Sequence, residues 1–350
     1  DLNDYGIHAE LTGLSRAGIM QFSFEQDGDH YIVIEPNSDE GIAFVEIDPE
    51  KKEITGYNPV HRIYQGYGKE AGFSGHFVIQ LNEEIADYGV WDSTTIIPGR
   101  KSAKGQKHAV GAWIKLASDK PGKTLVKVAT SFTSIDNARK NLASEIPEWD
   151  FNEVRQASSD TWNQALGQIA VKGNNEKEKV KFYSALYNAH FLPRTFSDVD
   201  GSYPRFDGDG QIMKMDHGTY YCDFSQWDTY RAVHPLFSIL NPSRNGDMAH
   251  SLVLKGQQGG WLPIFPSWNS YTAAMIGDHC IAMIGDAIVK DTPGFDYEEA
   301  YTLMRKNAFE ANPDSGSYRD GKGRRAMESY LKYNYVPLED QVTEAFHRRE

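Results

Sequence analysis

Apolar and polar residues alternate in short runs through the first 132 residues, and turn-forming residues separate the runs. Alternation with a period of two puts one side-chain face against a core, which is typical of half-buried β-strands. Asp27-Gly28-Asp29 and Pro121-Gly122 are two of the separating turns. Strands are predicted at 21–24, 30–34, 43–47, 75–81, 109–116 and 124–130. Many short strands without helical patterns between them favour a β-sandwich over residues 1–132.

The spacing of apolar residues changes to a helical period after Phe132. Two segments, 134–144 and 151–166, predict a helical linker over residues 133–168, and Asp150 is a candidate cap for the second. The remainder, 169–350, is mostly helical. Helices are predicted from about 175 to Phe191, where Pro193 follows, and at 224–239, 243–257, 271–290, 297–311 and 338–350.

These elements together predict a multidomain β + α protein: a β-sandwich, a helical linker and an (α/α)6 toroid. Only about six helices follow residue 170, where such a toroid needs about twelve. The chain also begins at Asp1 without a leader and reaches Glu350 without a helix stop. We therefore expect an incomplete piece of a longer protein, cut at both ends, with the toroid only partly present.

The segment 272–290 is apolar on nearly all sides, which predicts a helix buried all round. It nevertheless carries Asp278, His279 and Asp286. Buried charges need partners or a polar cavity, so Asp278 and His279 are candidate substrate-binding residues on the inner wall of a toroid. The alternative is a hydrogen-bonded histidine within a packed core.

The segment 224–236 places Trp227, Asp228 and Arg231 on or beside one helical stripe. An indole can cover the apolar face of a sugar, and a carboxylate can accept hydrogen bonds from paired hydroxyls. The alternative is an ion pair between Asp228 and Arg231 inside a helical core.

A long loop rich in Trp, Asn and Tyr runs from 259 to 272. Trp268, Asn269 and Tyr271 in this loop suit stacking on a carbohydrate, but they equally suit packing between elements.

The composition argues against several classes of partner. With 36 basic and 49 acidic residues, the net charge is −13, and no basic run suggests a nucleic-acid or anionic-membrane partner. No apolar run reaches the ~18 residues of a membrane span. Two cysteines, Cys222 and Cys280, cannot form a disulfide framework, and whether they pair is left open. Asp198-Val199-Asp200-Gly201 starts like a calcium loop but lacks the glycine and glutamate that such a loop needs further on.

Five segments in order, 9–18, 130–142, 182–201, 227–236 and 275–287, resemble glycoside hydrolase family 92, the calcium-dependent exo-acting α-mannosidases. The most specific match is Trp227-Asp228-Thr229-Tyr230-Arg231-Ala232-Val233-His234-Pro235-Leu236. The resemblance implies a β-sandwich packed on an (α/α)6 barrel, with the active site between them. It also implies a secreted or periplasmic protein that acts on mannose-terminated glycans.

The resemblance implies inverting hydrolysis by an acid and a base, with Ca²⁺ as cofactor holding vicinal hydroxyls of the sugar. It puts Asp228 on the hydroxyls of the terminal sugar and Trp227 beside it. The family's acid, base and calcium ligands are expected beyond Glu350, so no catalytic residue or metal ligand is named, and the catalytic half is expected to be absent.

One departure concerns the leaving group. Family members often carry Asn-Glu-Thr where this chain has Ser270-Tyr271-Thr272, so a carboxylate is missing. This suggests a subgroup that releases mannose from a phosphodiester, since phosphate leaves with less acid assistance. Two further alternatives are a non-catalytic carbohydrate-binding protein and a phosphorylase of α-linked disaccharides. Linkage and oligomeric state are left open.

Overall fold

The computed structural model describes residues 1–36, 41–63, 68–106, 109–272, 274–275, 277–314, 321–324 and 326–338. The chain divides into two compact units. One comprises residues 1–60, 73–179 and 197–203, and the other comprises residues 61–72, 180–196 and 204–350.

The first unit is a β-sandwich, as predicted. Its strands, together with the short strands of the second unit, are β1 (Ile7–Gly13), β2 (Ala17–Phe24), β3 (Tyr31–Ile34), β4 (Ala43–Asp48), β5 (Glu53–His61), β6 (Glu70–Leu81), β7 (Ile85–Asp92), β8 (Thr95–Pro98), β9 (Ser102–Gly105), β10 (Val110–Leu116), β11 (Gly122–Ser131), β12 (Arg194–Thr195), β13 (Ser202–Pro204), β14 (Ile212–Lys214) and β15 (Tyr221–Cys222). One sheet has the order β1-β2-β11-β6-β5-β4-β9, and the other has β3-β10-β7-β8.

The sandwich core follows the period-two pattern of the sequence. In β4, every second side chain is buried, and the residues between them are more exposed. The same alternation in β10 faces it, so both strands contribute to one apolar cluster. The alternating residues are Ala43, Val45 and Ile47 in β4, and Val110, Ala112, Ile114 and Leu116 in β10.

The helices are α1 (Ile135–Glu145), α2 (Phe151–Leu166), α3 (Glu176–Ala189), α4 (Gln226–Thr229), α5 (Val233–Leu240), α6 (Pro242–Gly259), α7 (His279–Val289), α8 (Tyr297–Phe309) and α9 (Met327–Tyr333). The caps Ser134 and Asp150 accept backbone N–H groups at the starts of α1 and α2. Both helices pack on the sandwich through an apolar cluster that includes Ile19, Leu142 and Phe151. The predicted linker, 133–168, therefore belongs to the same compact unit as the sandwich.

Three helix predictions need correction or lie outside the structure. The predicted helix 224–239 is two helices, because Pro235 lacks the N–H that an unbroken helix needs there, and it stands instead in the first turn of α5. The predicted helix 271–290 begins only at His279. The predicted helix 338–350 falls outside the described residues, apart from Leu338.

The prediction that the segment 272–290 is buried all round is wrong. Helix α7 buries one stripe, formed by Cys280, Met283, Ile284 and Ala287, against α6 and α8 in the core of the second unit. Val289 at its end is 80% exposed. Cys222 and Cys280 are both buried and unpaired. Within the described ranges, the helices do not close a barrel.

Candidate functional site

The short helix α4 exposes Trp227 and Asp228 to solvent. Gln226, the first residue of the same helix, is fully buried. Its amide nitrogen donates to the carbonyl oxygen of Ile264 at 2.7 Å. Trp227 is 38% exposed, and the hydroxyl of Ser225 donates to the Asp228 carboxylate. Helix α4 is therefore anchored on one side, while its indole and carboxylate are presented on the other.

Arg231 makes no ion pair with Asp228 among the described residues. The alternative prediction, an ion pair between these two residues inside a helical core, is therefore wrong. Its guanidinium donates to the carbonyl oxygen of Trp227 at 2.8 Å and lies 5.3 Å from the centre of the Trp227 ring. It also lies 4.6 Å from the ring of Tyr230, which stacks on His279 at 4.3 Å. Four predicted residues, Trp227, Asp228, Arg231 and His279, thus share one surface, joined through Tyr230.

Asp278 lies beside this surface but points inward. Its carboxylate is 2.9 Å from Nε of Arg324, and its side chain is almost completely buried. Burial raises the pKa of Asp278, and Arg324 opposes that shift. One carboxylate oxygen has no hydrogen-bond partner among the described residues. Asp278 is therefore occupied by its pair with Arg324, and contact with a sugar is not available to it in this geometry.

Two of the three loop residues predicted to bind substrate are enclosed. The Asn269 amide donates to the carbonyl oxygen of Pro204 at 2.7 Å and accepts from the Tyr220 hydroxyl at 2.8 Å. The Tyr271 hydroxyl donates to the carbonyl of Trp261, and burial raises the pKa of that phenol. Both side chains are satisfied within the protein, so the geometry supports the packing alternative for Asn269 and Tyr271.

Trp268, the third loop residue, belongs to a cluster that the sequence did not suggest. Its N–H donates to Asp223 Oδ1 at 2.7 Å, and Arg194 lies 4.3 Å from its ring while also pairing with Asp223. Asp223 and Trp268 have φ values of 62° and 47°, a left-handed conformation that non-glycine residues adopt at a cost. Such strain clusters at ligand-binding sites, which supports Trp268 as a binding residue.

A buried lysine lies beneath this surface. Lys255 Nζ donates to the carbonyl oxygen of Tyr221 at 2.6 Å and is 3.7 Å from the centre of the Tyr220 ring. Burial lowers its pKa to about 8, and burial likewise raises the pKa of the neighbouring Cys222 thiol to about 12. The Cys222 thiol therefore stays protonated and unreactive. The ammonium group of Lys255 is stabilised by the Tyr221 carbonyl oxygen and by a cation–π contact with Tyr220.

His234 should make stability depend on pH. It is buried, neither ring nitrogen has a hydrogen-bond partner among the described residues, and burial lowers its pKa to about 4. The unfolded chain binds this proton near pH 6.5, so stability is full above that pH and is lost as pH falls towards 4. We expect about 2–3 kcal/mol of loss from this residue by pH 4.5.

The measurement is the free energy of unfolding by urea at pH 7 and at pH 4.5, for the wild type and for His234→Met. Methionine keeps an apolar side chain of similar size but cannot titrate. The variant should therefore lose about 2–3 kcal/mol less than the wild type between the two pH values. Equal losses in both proteins would show that His234 is not the group responsible.

The described residues do not suit the calcium ion that the resemblance implies. Ca²⁺ takes six to eight oxygen ligands. A metal ion can be shared by His, Cys, Asp and Glu side chains that lie close enough together. The described part of the chain contains one group of at least three such side chains, formed by Asp216, His217 and His250. Two imidazoles and one carboxylate do not make an oxygen cage, so no step of a mechanism is derived through calcium.

A β-sandwich unit is followed in the sequence by a mostly helical unit. The profile of the glycosyl hydrolase family 92 N-terminal domain matches residues 1–131, and that of the family's catalytic domain matches residues 137–349. The chain therefore belongs to glycosyl hydrolase family 92. The two matches leave residues 132–136 between them.

Similar proteins agree with this assignment. A family 92 inverting mannosidase from Bacteroides thetaiotaomicron has 25% identity and a TM-score of 0.83, over 95% of this chain and 43% of that chain. A family 92 alpha-mannosidase from the same species has 28% identity and a TM-score of 0.82, over 97% of this chain and 44% of that chain. An uncharacterized secreted glycosidase of Arthroderma benhamiae is 26% identical over 229 residues, 64% of this chain and 24% of that protein.

These matches correct one expectation. The catalytic half was expected to be absent, yet the catalytic-domain profile matches residues 137–349. The chain nevertheless spans less than half the length of these two structural relatives. No helix in the described ranges combines the length and apolar character needed to cross a membrane.

Proposed function

We propose that this protein hydrolyses terminal α-linked mannose from glycans by an inverting mechanism. The observation that carries the proposal is the match of both family 92 domains along nearly the whole chain, together with the exposed Trp227–Asp228 pair. Two relatives of similar fold are named as mannosidases, and one was solved in complex with mannoimidazole.

The exposed cluster suits one sugar ring. The Trp227 indole offers an apolar face to the C–H groups of a pyranose, and Arg231 braces that indole through its contact with the ring. Asp228 accepts hydrogen bonds from two neighbouring hydroxyls, and the Ser225 hydroxyl fixes its orientation. The stacked pair of Tyr230 and His279 forms an adjoining wall.

An inverting hydrolase uses two carboxyl groups about 6.5–9.5 Å apart. One protonates the departing oxygen, and the other activates a water molecule on the opposite face of the sugar. We assign neither role to a residue of this chain, and the same holds for the ligands of the proposed calcium ion. Calcium dependence is proposed for the protein at its full natural length, where a chelator should abolish mannose release.

Asp228→Ala should lower kcat/KM by about 2–4 kcal/mol, roughly 30- to 1,000-fold, because a charge-assisted contact with the sugar is lost. The measurement is mannose release from an α-mannoside by the protein at its full natural length. Asp209→Ala is the matched control, since it likewise removes an exposed carboxylate of the second unit, although Asp209 lies in a loop and Asp228 on α4. It should leave kcat/KM unchanged.

An Asp228→Ala protein with wild-type kcat/KM would remove Asp228 from the substrate site. Mannoside binding without turnover in the wild type would instead favour the non-catalytic carbohydrate-binding protein. Unfolding curves for both variants establish that any loss is not a loss of fold, because Asp228 and Asp209 are exposed.

A second candidate is the release of mannose from a phosphodiester. It is favoured by the absence of a carboxylate at residues 270–272, where Tyr271 is turned into the core. A phosphate leaving group needs less protonation than a sugar alcohol. Faster turnover of a mannose phosphodiester than of a matched α-mannoside would select this candidate, and the reverse order would reject it.

The partner we propose is a mannose-terminated glycan, and the location is secreted or periplasmic. The first proposal is supported by the names of the structural relatives, and the second by the name of the fungal relative, a secreted glycosidase.

A further inference from the structure

Asp216, His217 and His250 bring three possible metal ligands together in the second unit. One ligand atom from each lies within 4.8 Å of the other two. Asp216 and His217 stand in the turn between β14 and β15, and His250 is on α6. The turn and the helix are therefore joined through these side chains, away from the Trp227 segment in the sequence.

The hydrogen bonds of His217 prepare one ring nitrogen as a ligand. Its Nε2 lies 3.1 Å from the carbonyl oxygen of Gly294, which can only accept, so Nε2 carries the proton. A histidine that binds a metal usually donates its other N–H in this way. In this tautomer Nδ1 carries a lone pair and lies 3.0 Å from Asp216 Oδ1, so a cation between these two acceptors would relieve their repulsion.

His250 supplies a second imidazole with unused capacity. Its ring stacks on that of His217, with 4.7 Å between centroids and 16° between planes. Its Nδ1 is shielded from solvent and has no hydrogen-bond partner among the described residues. The His217 ring must turn out of this stack for both nitrogen lone pairs to meet at one ion, and its exposed side chain leaves room for that rotation.

The surroundings favour a positive charge at this point. Asp247 stands one turn before His250 on α6, and its carboxylate accepts the Thr219 N–H at 3.0 Å. The Gly294 carbonyl oxygen and the Asp216 carboxylate both lie within hydrogen-bonding distance of the His217 ring, so two oxygen groups of negative partial or full charge face it. A divalent ion bound between Asp216 and His217 would therefore have its charge partly neutralised by the carboxylates of Asp216 and Asp247.

From this geometry we propose that Asp216, His217 and His250 form a binding site for a divalent transition metal, with Zn²⁺ as the expected occupant. Two imidazole nitrogens and one carboxylate oxygen suit Zn²⁺ and do not suit Ca²⁺. Neighbouring ligands in a tetrahedral zinc site are about 3.3–3.5 Å apart. The Nδ1 atom of His217 and Oδ1 of Asp216, 3.0 Å apart, are already close to this distance. Both side chains are exposed and can rotate to bring their ligand atoms to the same ion as His250.

Such an ion would tie three backbone segments together. It would hold the turn before β15 to α6, and the Gly294 carbonyl would anchor the ring of His217 to the segment before α8. β15 leads directly into Asp223 and α4, so the ion would stabilise the approach to the candidate sugar site without touching it.

The test uses the protein at its full natural length, stripped of metal and dialysed against Zn²⁺ with Ca²⁺ in excess. The wild type should bind one zinc ion more per chain than His217→Ala or Asp216→Ala. Zn²⁺ should raise the melting temperature of the wild type and leave that of these two variants unchanged. Each of these two substitutions should weaken zinc binding by more than ~10–100-fold, which is the typical effect of removing a residue that only hydrogen-bonds to a metal ligand.

His8→Ala is the matched control, because His8 is also exposed and pairs with carboxylates but has no second imidazole beside it. It should bind zinc like the wild type. Equal zinc binding by the wild type and His217→Ala would overturn the proposal, as would loss of binding in His8→Ala. Co²⁺ bound to the wild type gives a second readout: an intense visible spectrum supports four-coordinate nitrogen and oxygen ligands, and a weak six-coordinate spectrum overturns it.

Discussion

Replacing Asp198 by alanine is expected to lower the free energy of unfolding of the sandwich unit by about 3–5 kcal/mol. The carboxylate is only 5% exposed and accepts hydrogen bonds from four side chains. The donors are Ser131 Oγ at 2.9 Å, Thr133 Oγ1, Asn137 Nδ2 at 3.2 Å and Asn141 Nδ2 at 2.7 Å. Urea unfolding, followed by a probe within the sandwich unit, measures the loss.

The expected loss is large because the donors would be stranded. Asn141 is completely buried, and alanine at 198 would leave its amide without this acceptor. The carboxylate also holds the segment 197–203 against α1 and the end of β11, so its removal loosens three elements at once. Asp198→Asn should cost less, about 2 kcal/mol, because its amide oxygen still accepts while its NH₂ group faces donors.

Asp200→Ala is the matched control, two residues away in the same loop. Its carboxylate is partly exposed, pairs with Lys140 at 3.0 Å and accepts the Ser202 N–H at 3.0 Å. A pair of this kind contributes about 0–1 kcal/mol and a single hydrogen bond about 1 kcal/mol, so this variant should lose clearly less than Asp198→Ala. Similar losses in the two variants would contradict the assignment of Asp198 as the buried acceptor.

The sandwich was predictable because its signal is local. Alternation within β4 and β10 fixes which side chains face the core, and nothing outside those strands is needed to see it. Strands β5 and β7 went unpredicted, since residues such as Gly56 and Gly89 interrupt the pattern. At both positions a Cβ would collide with the neighbouring strand or with an aromatic ring. The reason for these glycines is therefore visible in the tertiary structure and not in the sequence.

Helix boundaries were predictable where a capping side chain acts on its own helix. Ser134 and Asp150 mark the starts of α1 and α2 within one residue of the prediction. The start of α7 was not predictable in this way. Tyr271 is held by the core and by Arg62, and Gly277 has a φ of 90°, so tertiary contacts override the apolar pattern before His279.

The candidate site was predictable only in part. Trp227, Asp228 and Arg231 are close in sequence, and their types already suggested a sugar. The stacking of Tyr230 on His279 joins residues 49 positions apart, and no local pattern carries it. The contacts of Arg194 and Asp223 with Trp268 depend on left-handed backbone conformations at residues that rarely adopt them, so no local pattern in the sequence predicts these contacts.

Gly246→Ala is expected to destabilise the second unit by about 2–4 kcal/mol. Gly246 lies inside α6, where alanine would ordinarily be preferred. A Cβ at this position would stand 1.8 Å from the carbonyl oxygen of Pro293, which is backbone and cannot rotate away. The helix or the segment at 292–294 must therefore move, and that segment also carries the Gly294 carbonyl that holds His217.

Gly285→Ala separates this close approach from the general effect of glycine in a helix. Gly285 lies inside α7, and the nearest atom to its added Cβ would be the terminal methyl group of Met304 at 3.5 Å, an ordinary contact. This variant should be neutral or more stable by about 0.5–1 kcal/mol, from helix propensity alone. Thermal and urea unfolding should therefore show a loss of stability in Gly246→Ala and no loss in Gly285→Ala. If Gly246→Ala is also neutral, then α6 does not lie against Pro293, and the packing that brings His250 to His217 fails with it.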